Sequence, residues 1–494
     1  MHGDRVKRWF GRSATVPLAL AATVALASIA LANVPVRAVS QDPYTNTSSY
    51  HATEVEPDTF AAGSTVVADF QAGRFTDGGA SNIGWATSTN GGKAWTRGFL
   101  PDTTVFSTPP GILKRVTDPS VTFDAAHGQW LIGVLGSKAS SGFTGNSVFV
   151  SRSTDGLTWS GPVTVASTST GSFDSTWVNC DNWPTSPNFG HCYFEFDDFG
   201  NGNQLHISTS TDGGLTWTPA TVPNSIVIGG KPVSMPNGTV VVPMDDGFVS
   251  QAESFISRDG GVTFKGPNLI STFSIHTPAG SLRGLDIVSA DVDASGKVYV
   301  VWYDCRFRAG CNSNDVVMST STDGKTWTAP VQVPIDAVTS TVDHFLPGIT
   351  VEEGTSGATA HLGLVYWFYP KANCTTSTCK LEYGYIQSTD GGATWGPATP
   401  LAGPLTLASL PLTSSGYMVG DYSSANFLGG LATTVFAVAA RGTTCQLSVV
   451  GSCDVSMDAP RTPLPLAGPF RAGATHPAAG WTPNVPTKVR LSAS

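Results

Sequence analysis

Two stretches of the chain concentrate side chains that could do acid–base or binding chemistry. Residues 68–80 (ADFQAGRFTDGGA) contain Asp69, Arg74 and Asp77. Residues 304–315 (DCRFRAGCNSND) contain Asp304, Arg306, Arg308 and Asp315, with two cysteines that could brace the loop. Carboxyl groups can move protons, and guanidinium groups bind carboxylates in a bidentate geometry. Both stretches are therefore predicted to form a polar binding surface. The alternative is that they are solvated loops whose charges pair with one another.

A short motif that recurs six times indicates which elements position these loops. It stands at residues 88–95 (STNGGKAW), 153–159 (STDGLTW), 210–217 (STDGGLTW), 257–264 (SRDGGVTF), 321–327 (STDGKTW) and 388–395 (STDGGATW). Asp-Gly closes a tight turn, because Asp bonds nearby backbone and Gly supplies a positive φ. The aromatic residue that follows is a large apolar anchor. A motif that returns in this way indicates a repeat architecture.

The segments between these motifs read as short strands. Apolar runs such as residues 64–70, 239–244 and 298–303 alternate with turn signals, which is typical of all-β proteins. Four-stranded repeats stacked radially make a propeller. We predict an all-β propeller over residues 54–457, in which the loops between second and third strands meet at one mouth of the channel. Residues 417–440 carry two further strand-like runs without a motif, so six or seven blades remain open.

The repeated motif is the Asp box, Ser-x-Asp-x-Gly-x-Thr-Trp, and on it the chain resembles the sialidase superfamily over roughly residues 54–441. The resemblance implies a six-bladed propeller that acts on extracellular glycans, with the boxes away from the catalytic face. It also implies an Asp acid/base and a Tyr nucleophile. Asp77 precedes the first box and Tyr422 stands in a matching Tyr-Ser context, so these two are predicted to be catalytic. The predicted substrate-binding residues are Arg74, Asp69, Asp304, Arg306, Arg308 and Asp315.

Other positions depart from the sialidase pattern. Val55 stands where the family has its first arginine, and Ser234 stands where it has the Glu that activates the tyrosine. The arginines expected before the fourth and sixth boxes are also missing. Orthodox sialidase chemistry, which clamps a substrate carboxylate with three arginines, is therefore not matched. The rival prediction is a non-catalytic propeller that binds a glycan or a protein.

Acidic residues also stand near the expected starts of first strands, namely Glu54, Asp118, Asp286, Asp343 and Asp421. If they ring the channel mouth, a bound Ca²⁺ or nearby arginines must compensate their charge. The alternative is that each caps its own turn. His344, next to one of them, could serve as a base. We predict no cofactor and no metal-ligating set.

The composition and the N-terminus indicate the compartment. The formal net charge of -9 disfavours nucleic acid as a partner. Basic residues followed by an apolar run over residues 14–32 predict a signal peptide at 1–38, with cleavage sites after Ala32 or Ala38. An uncleaved membrane anchor is the alternative. Residues 39–53 are a polar lead-in, and residues 458–494 a Pro/Ala/Gly-rich tail.

The eight cysteines fall into four close pairs, Cys180/Cys192, Cys305/Cys311, Cys374/Cys379 and Cys445/Cys453. Local disulfides are the economical interpretation, and they indicate an oxidising compartment. Zinc is the competing interpretation, but no Cys-x-x-Cys spacing occurs. We therefore expect a secreted monomer whose partner is an extracellular glycan or a cell-surface glycoprotein.

Overall fold

The computed structural model describes residues 34–222, 225–247, 250–446 and 453–465. Over these residues the chain is all-β, and its helices are single 3₁₀ turns at Phe199–Asn201, Ala309–Cys311, Gly357–Thr359 and Leu407–Ser409. No helix in the described ranges is long and apolar enough to cross a membrane. The apolar run of the predicted signal peptide and tail residues 466–494 lie outside the described residues.

After strand β1 (Val36–Ala38), six groups of four antiparallel strands follow one another along the chain, named here sheets I to VI. Sheet I is β2 (Glu54–Ala62), β3 (Thr65–Arg74), β4 (Ala80–Ser88) and β5 (Thr96–Phe99). Sheet II is β6 (Arg115–Asp124), β7 (Gln129–Ser137), β8 (Ser147–Ser153) and β9 (Val163–Ser167). Sheet III is β10 (Phe173–Cys180), β11 (Cys192–Asp198), β12 (Gln204–Ser210) and β13 (Thr218–Thr221).

Sheet IV is β14 (Val233–Ser234), β15 (Val240–Asp245), β16 (Gln251–Ser257) and β17 (Lys265–Thr272). Sheet V is β18 (Ser289–Val292), β19 (Val298–Asp304), β20 (Asp315–Ser321) and β21 (Val331–Gln332). Sheet VI is β22 (Asp343–Val351), β23 (Leu362–Tyr369), β24 (Lys380–Ser388) and β25 (Thr399–Thr406). A short hairpin, β26 (Leu412–Thr413) and β27 (Gly416–Tyr417), follows.

The last strands form two three-stranded sheets that share one stretch of chain. β28 (Ala425–Leu428), β29 (Leu431–Thr434) and β32 (Leu464–Pro465) form the first, and β30 (Phe436–Ala439), β31 (Val455–Pro460) and β1 form the second. Only Val435 separates β29 from β30, so one nearly continuous stretch of chain joins the two sheets. We call this set sheet VII. Its outer strand is the N-terminal β1, paired with β31.

Two boundaries differ from the sequence prediction. Strand β1 lies inside the segment 1–38 that the sequence assigns to the signal peptide, and it pairs with β31. β31 runs to Pro460, past the predicted end of the domain at 457. Sequence reading missed both strands because each is short and finds its partner far away in the chain. The four predicted disulfides are all present.

The boxes lie at the turns between third and fourth strands. In the box at 210–217, Gly214 N–H donates to Ser210 Oγ at 2.9 Å and Thr216 N–H donates to Asp212 Oδ1 at 2.9 Å. The strand registers pair Glu54 with Ala72 and Val66 with Ser88, so the box lies at the opposite end of the sheet from the start of the first strand. We call the end where first strands begin the upper face.

Hydrophobic clusters join each sheet to the next. Leu131 of sheet II packs with Phe194 of sheet III, and equivalent clusters join the other successive sheets through sheet VI. The last cluster brings together Tyr383 of sheet VI, Phe436 of sheet VII and Phe70 of sheet I. The first strands also follow one another in contact, and β28 packs back against β2. The order of contacts therefore closes on itself around a central axis.

Candidate functional site

Four first strands carry a β-bulge near the axis. A non-glycine residue with positive φ stands in each bulge: Glu56 (60°), Asp118 (48°), Ser175 (48°) and Leu346 (49°). Proline follows three of them, at positions 57, 119 and 347. A bulge re-aims side chains, and positive φ in such residues costs about 1–3 kcal/mol and clusters at functional sites. The bulges therefore indicate a candidate functional site at the axis, where Glu56 and Asp118 lie.

A pocket of about 60 Å³ opens at the axis, and we call it the axial pocket. Side chains from separate sheets and their lead-in segments converge there: Glu56, Asp118, Asp174, Trp177, Lys231, Arg283, Asp421 and Tyr422. Four of these are acids and two are bases. The pocket therefore holds more carboxyl groups than cations, and its charge balance depends on how these groups pair.

The strongest pairing joins Arg283 to Asp421. Arg283 Nε donates to Asp421 Oδ1 at 2.6 Å, and its Nη2 donates to Oδ2. Such bidentate pairs are the strongest that carboxylates form with arginine. Burial raises the pKa of Asp421, but the charge and hydrogen bonds of Arg283 outweigh burial, so the pKa lies below its usual value. Asp421 is therefore ionised.

Glu56 lies beside this pair in the opposite protonation state. Its carboxyl is buried and accepts a hydrogen bond from Gln71 Nε2. Burial, followed by the charges of Asp421 and Asp118, holds the pKa of Glu56 well above its usual value. A proton on Glu56 can form a hydrogen bond to Asp421. Two adjacent carboxyl groups thus share one proton, because both cannot stay ionised in a buried site.

Asp118 is the third carboxyl of the pocket. It accepts hydrogen bonds from Thr117 Oγ1 at 2.9 Å and from Ser175 N–H at 3.1 Å. Burial, together with the charges of Asp174 and Asp421, raises the pKa of Asp118 to about 7. A carboxyl that titrates near neutral pH can give up its proton during a reaction and recover it from solvent.

Lys231 is a buried base on the pocket wall. Its Nζ lies over the ring of Trp177 and 4.5 Å from the centroid of the Tyr422 ring. Burial lowers the pKa of Lys231 to about 7, against the opposing charges of Asp58 and Glu195. Aromatic faces attract a cation and help to hold it away from water. The charge of this lysine therefore depends on the carboxyl groups beneath the pocket.

The two predicted catalytic residues do not meet. Tyr422 lines the axial pocket, but it is buried and its hydroxyl donates to the Pro119 carbonyl at 2.7 Å. Asp77 is absent from the pocket lining; it forms an ion pair with Arg115 and accepts from Gly142 N–H at 2.6 Å. The physical reason is that Arg115, at the start of β6, holds Asp77 over the neighbouring sheet.

Two of the predicted binding residues lie close to the axis, in sheet I. Arg74 is buried, donates to the Gly79 carbonyl at 2.7 Å, and is coupled by charge to Glu56 and Asp421. Asp69 is buried and accepts from Asp58 N–H at 3.3 Å. Neither lines the pocket, so both act on it only through its electrostatics.

The other four predicted binding residues pair within or beside their own loop. Arg306 contacts Asp304 at 2.6 Å and donates to Ser271 Oγ at 3.0 Å. Arg308 forms ion pairs with Asp315 and, at 2.6 Å, with Asp336. The loop therefore follows the alternative interpretation of internal ion pairs, because an aspartate at each end of the loop pairs with one of the two arginines between them.

One group in the described ranges has three potential metal ligands close together, Asp315, Asp336 and His344. The Arg308 guanidinium already bonds both carboxylates, so a cation is present where a metal would have to sit. His344 is buried and its Nδ1 lies 3.1 Å from the Asn314 carbonyl, while burial lowers its pKa. The residues present do not fit a metal without displacing Arg308.

The predicted ring of five carboxylates is only partly formed at the axis. Asp118 and Asp421 face the axial pocket, whereas Glu54 is buried against Ser40 and Asp343 accepts from Asn314 N–H at 2.7 Å. Asp286 lines a neighbouring cavity. Glu56, which stands in the bulge of β2, lines the axial pocket in place of Glu54.

The charged pocket residues Glu56, Asp174, Lys231 and Arg283 were not among the predicted catalytic or binding residues. A usable signal was present in the recurring acid-proline pairs at 56–57 and 118–119, which mark the bulges. Lys231 and Arg283 precede their strands in irregular segments, where neither periodicity nor a motif marks them. Only the closed ring of sheets places Lys231 and Arg283 beside the carboxyl groups of the axial pocket.

No protein-family model and no curated protein matches the chain. Solved structures do. A protein of unknown function from Dyadobacter fermentans is 18% identical with a TM-score of 0.44, covering 72% of this chain and 99% of its own. The Hadza microbial sialidase Hz136 is 16% identical with a TM-score of 0.45, covering 71% and 66% respectively. The NanB sialidase from Streptococcus pneumoniae is 13% identical with a TM-score of 0.43, covering 69% and 68%.

The chain thus spans about two thirds of the length of each of these two sialidases. Sialidases are among the solved structures whose backbone is similar to that of this chain. At these identities and TM-scores, function has to be inferred from the residues of the axial pocket.

Proposed function

We propose that the chain is a secreted, sialidase-like β-propeller of seven blades that hydrolyses extracellular glycans at the axial pocket. Sheets I to VI supply six blades and sheet VII the seventh, closed by β1. The ring of contacts between successive sheets supports this arrangement. Six of the seven blades carry an Asp box, on the face opposite the pocket. Four disulfides and the N-terminal leader support secretion.

One observation carries the catalytic proposal. A single pocket contains Asp421, held ionised by Arg283, and Asp118, whose pKa burial raises to about 7. Carboxyl groups whose environments push their pKa values apart are typical of acid/base pairs. Glycoside hydrolysis needs one carboxyl group that protonates the leaving oxygen and one carboxylate that assists the reaction at the anomeric carbon.

Each group then has a stated role. Asp118 donates its proton to the glycosidic oxygen as the bond to the anomeric carbon breaks. Asp421 stays ionised, stabilises the positive charge that develops on the sugar ring, and orients the water that attacks the anomeric carbon. The proton that this water loses returns to Asp118, which restores the acid. Glu56 keeps its proton in the hydrogen bond to Asp421. Tyr422 is a wall of the pocket in this mechanism, because its hydroxyl is engaged with the Pro119 carbonyl.

The test is hydrolysis of a panel of 4-methylumbelliferyl glycosides by the purified mature protein. We expect Asp421→Asn to lower kcat/KM by roughly 10²–10⁴-fold, the range for losing a positioned acid or base. Asp77→Asn and Tyr422→Phe, which test the sialidase-like alternative, should stay within about threefold of the wild type. Circular dichroism confirms that each variant is folded. Loss of activity in the latter two variants, with Asp421→Asn active, would reverse the assignment.

A second candidate function is non-catalytic binding of a glycan or protein. The observation that favours it is the size of the axial pocket: about 60 Å³ is below the roughly 300 Å³ at which ligand pockets begin. A whole sugar ring does not fit into a space of this volume. If no glycoside in the panel is hydrolysed while a glycan array shows saturable binding, the binding function replaces the catalytic one.

A further inference from the structure

A second cavity lies on the upper face beside the axial pocket. Its volume is about 320 Å³, which is within the range of small-molecule sites. The walls come from the ends of sheets IV and V and from the segment between them: Phe273, Ile275, Thr277, Pro278, Asp286 and Tyr303. We call it the lateral cavity. No catalytic role proposed above involves it.

One extended segment separates the two spaces. Arg283, Leu285 and Ile287 line the axial pocket, whereas Gly284 and Asp286 line the lateral cavity. This alternation is that of an extended chain, whose successive side chains point to opposite sides. The two spaces therefore lie on opposite sides of one backbone segment.

The lining of the lateral cavity is suited to a sugar ring. Phe273, Tyr303 and Pro278 provide apolar and aromatic surface for the C–H faces of a ring. Thr277, Ser250 and Asp286 provide hydroxyl and carboxyl groups that can exchange hydrogen bonds with ring hydroxyls. Polar atoms make up most of the surface that the lateral cavity exposes, which suits a hydroxylated ligand.

The ionisable groups of this region are acidic. Among the described residues, no lysine or arginine lines the lateral cavity. Burial, with the charge of Asp246, raises the pKa of Asp286. Burial, with the charge of Asp286, raises the pKa of Asp245 to about 7. A further anion placed here would repel these carboxyl groups wherever they are ionised. Arg283, next to the lining residue Gly284, and Arg306, which bonds the Thr272 carbonyl, are paired with Asp421 and Asp304.

We propose that the lateral cavity is a second saccharide subsite that accepts an uncharged or amino-bearing sugar residue and rejects sialic acid and other anionic sugars. This assignment rests on the proposed glycan-directed function and names its substrate class. Asp286 accepts hydrogen bonds from the hydroxyl or ammonium groups of the sugar in the lateral cavity.

The experiment is isothermal titration of the mature protein with four probes: glucosamine trisaccharide, N-acetylglucosamine trisaccharide, 3′-sialyllactose and trigalacturonic acid. We expect saturable binding of the first two and none of the acidic pair. Asp286→Asn should weaken binding of the glucosamine trisaccharide by about tenfold and that of the acetylated one by less. The matched control is Asp102→Asn, an exposed carboxylate between sheets I and II, which should bind like the wild type.

A second variant blocks the cavity itself. A Cβ added at Gly284 would lie 3.1 Å from Pro278 Cγ and 3.7 Å from Tyr303 Oη, both on the cavity wall. Gly284→Leu should therefore abolish binding of both amino-sugar probes. If that variant fails to fold, Asp286→Asn carries the test alone.

The outcomes separate this proposal from the catalytic one. Binding of an acidic probe as tight as that of the neutral one, or no change in Asp286→Asn, overturns the subsite. Hydrolysis with an unchanged KM in Gly284→Leu also overturns it and leaves the hydrolase function standing. Binding of the amino-sugar probes without hydrolysis of any glycoside supports the subsite and refutes the hydrolase function.

Discussion

The axial pocket and the loop at residues 304–315 are both dense in acids and arginines, yet they differ in where these groups originate. In the loop, Asp304 pairs with Arg306 and Asp315 with Arg308, so neighbours in sequence neutralise one another. In the pocket, carboxyl groups arrive from sheets I, II, III and VII, and only Asp421 has a guanidinium partner.

This difference indicates what a charged segment can do. A segment that carries its own counter-ions folds into a satisfied, closed unit and has little left to offer a ligand. Groups that meet from separate blades leave an excess of one charge, and burial then separates their pKa values. The loop therefore resembles a structural clip, and the axial pocket resembles a reactive site.

The largest expected effect separates the two regions by activity. Asp118→Asn removes the proton donor of the pocket, so kcat/KM should fall by roughly 10²–10⁴-fold. Asp304→Asn removes a carboxylate that bonds Arg306 and Trp302 Nε1, and activity per folded molecule should stay within about threefold. Steady-state kinetics on the best glycoside of the panel compares them. Equal losses of kcat/KM in both variants would show that the axial pocket and the loop do not differ in their contribution to activity.

Stability should show the next largest contrast. Arg283→Met leaves Asp421 buried without its partner, which costs about 3–5 kcal/mol of unfolding free energy. Arg306→Met leaves Asp304 hydrogen-bonded to Trp302 Nε1 and to the backbone N–H groups of residues 274 and 306, so it should cost only about 1–2 kcal/mol. Urea denaturation of both variants measures the difference. A smaller loss for Arg283→Met than for Arg306→Met would contradict the view that the pocket, and not the loop, depends on one distant pair.

The disulfide of the loop should affect stability alone. Cys305 and Cys311 close a short loop, so replacing both by Ser should lower the unfolding free energy by about 2 kcal/mol in the chain-entropy model. Because the loop contributes nothing to the axial lining, kcat/KM should be unchanged. Urea denaturation and glycoside kinetics on the double variant test both statements. A loss of activity at temperatures where the variant is folded would show that the loop serves the site.

The smallest effect is a change in the pH dependence of stability. The pKa of Asp118 is raised from 3.8 to about 7, so between these values the folded state binds a proton that the unfolded state has released. Its contribution to stability is complete below pH 4 and is lost as the pH rises through 7. Asp118→Asn should flatten this fall, measured by urea denaturation from pH 4 to 8. Asp102→Asn is the control, and an identical slope in both variants would refute the raised pKa.

The fold was largely readable from the sequence because its signals are local. Each Asp-Gly turn fixes a hairpin through bonds between neighbours, such as those of Ser210, Asp212 and Gly214. The disulfides also close short loops. Sheet VII was left open because its strands, β1 and β28 to β32, come from the two ends of the described chain and no local signal joins them.

The site was readable only in part. Asp118 and Asp421 were recognised as acids at strand starts, but Glu54 was named instead of Glu56, because alternation alone places both acids of β2 on one face and does not show which of them reaches the axis. Arg306 and Arg308 drew attention because their loop is conspicuously polar. Arg283, which the pocket uses, stands in a segment without any pattern.

The sequence by itself determined the repeated hairpins, the all-β class, the disulfides and the acidic balance, because turn chemistry and composition act between near neighbours. The tertiary structure alone decided which acids remain in excess, which arginine is committed to Asp421, and that Asp77 and Tyr422 do not share a pocket. The physical reason is that pairing and pKa depend on burial and on distances between blades, and ring closure sets both.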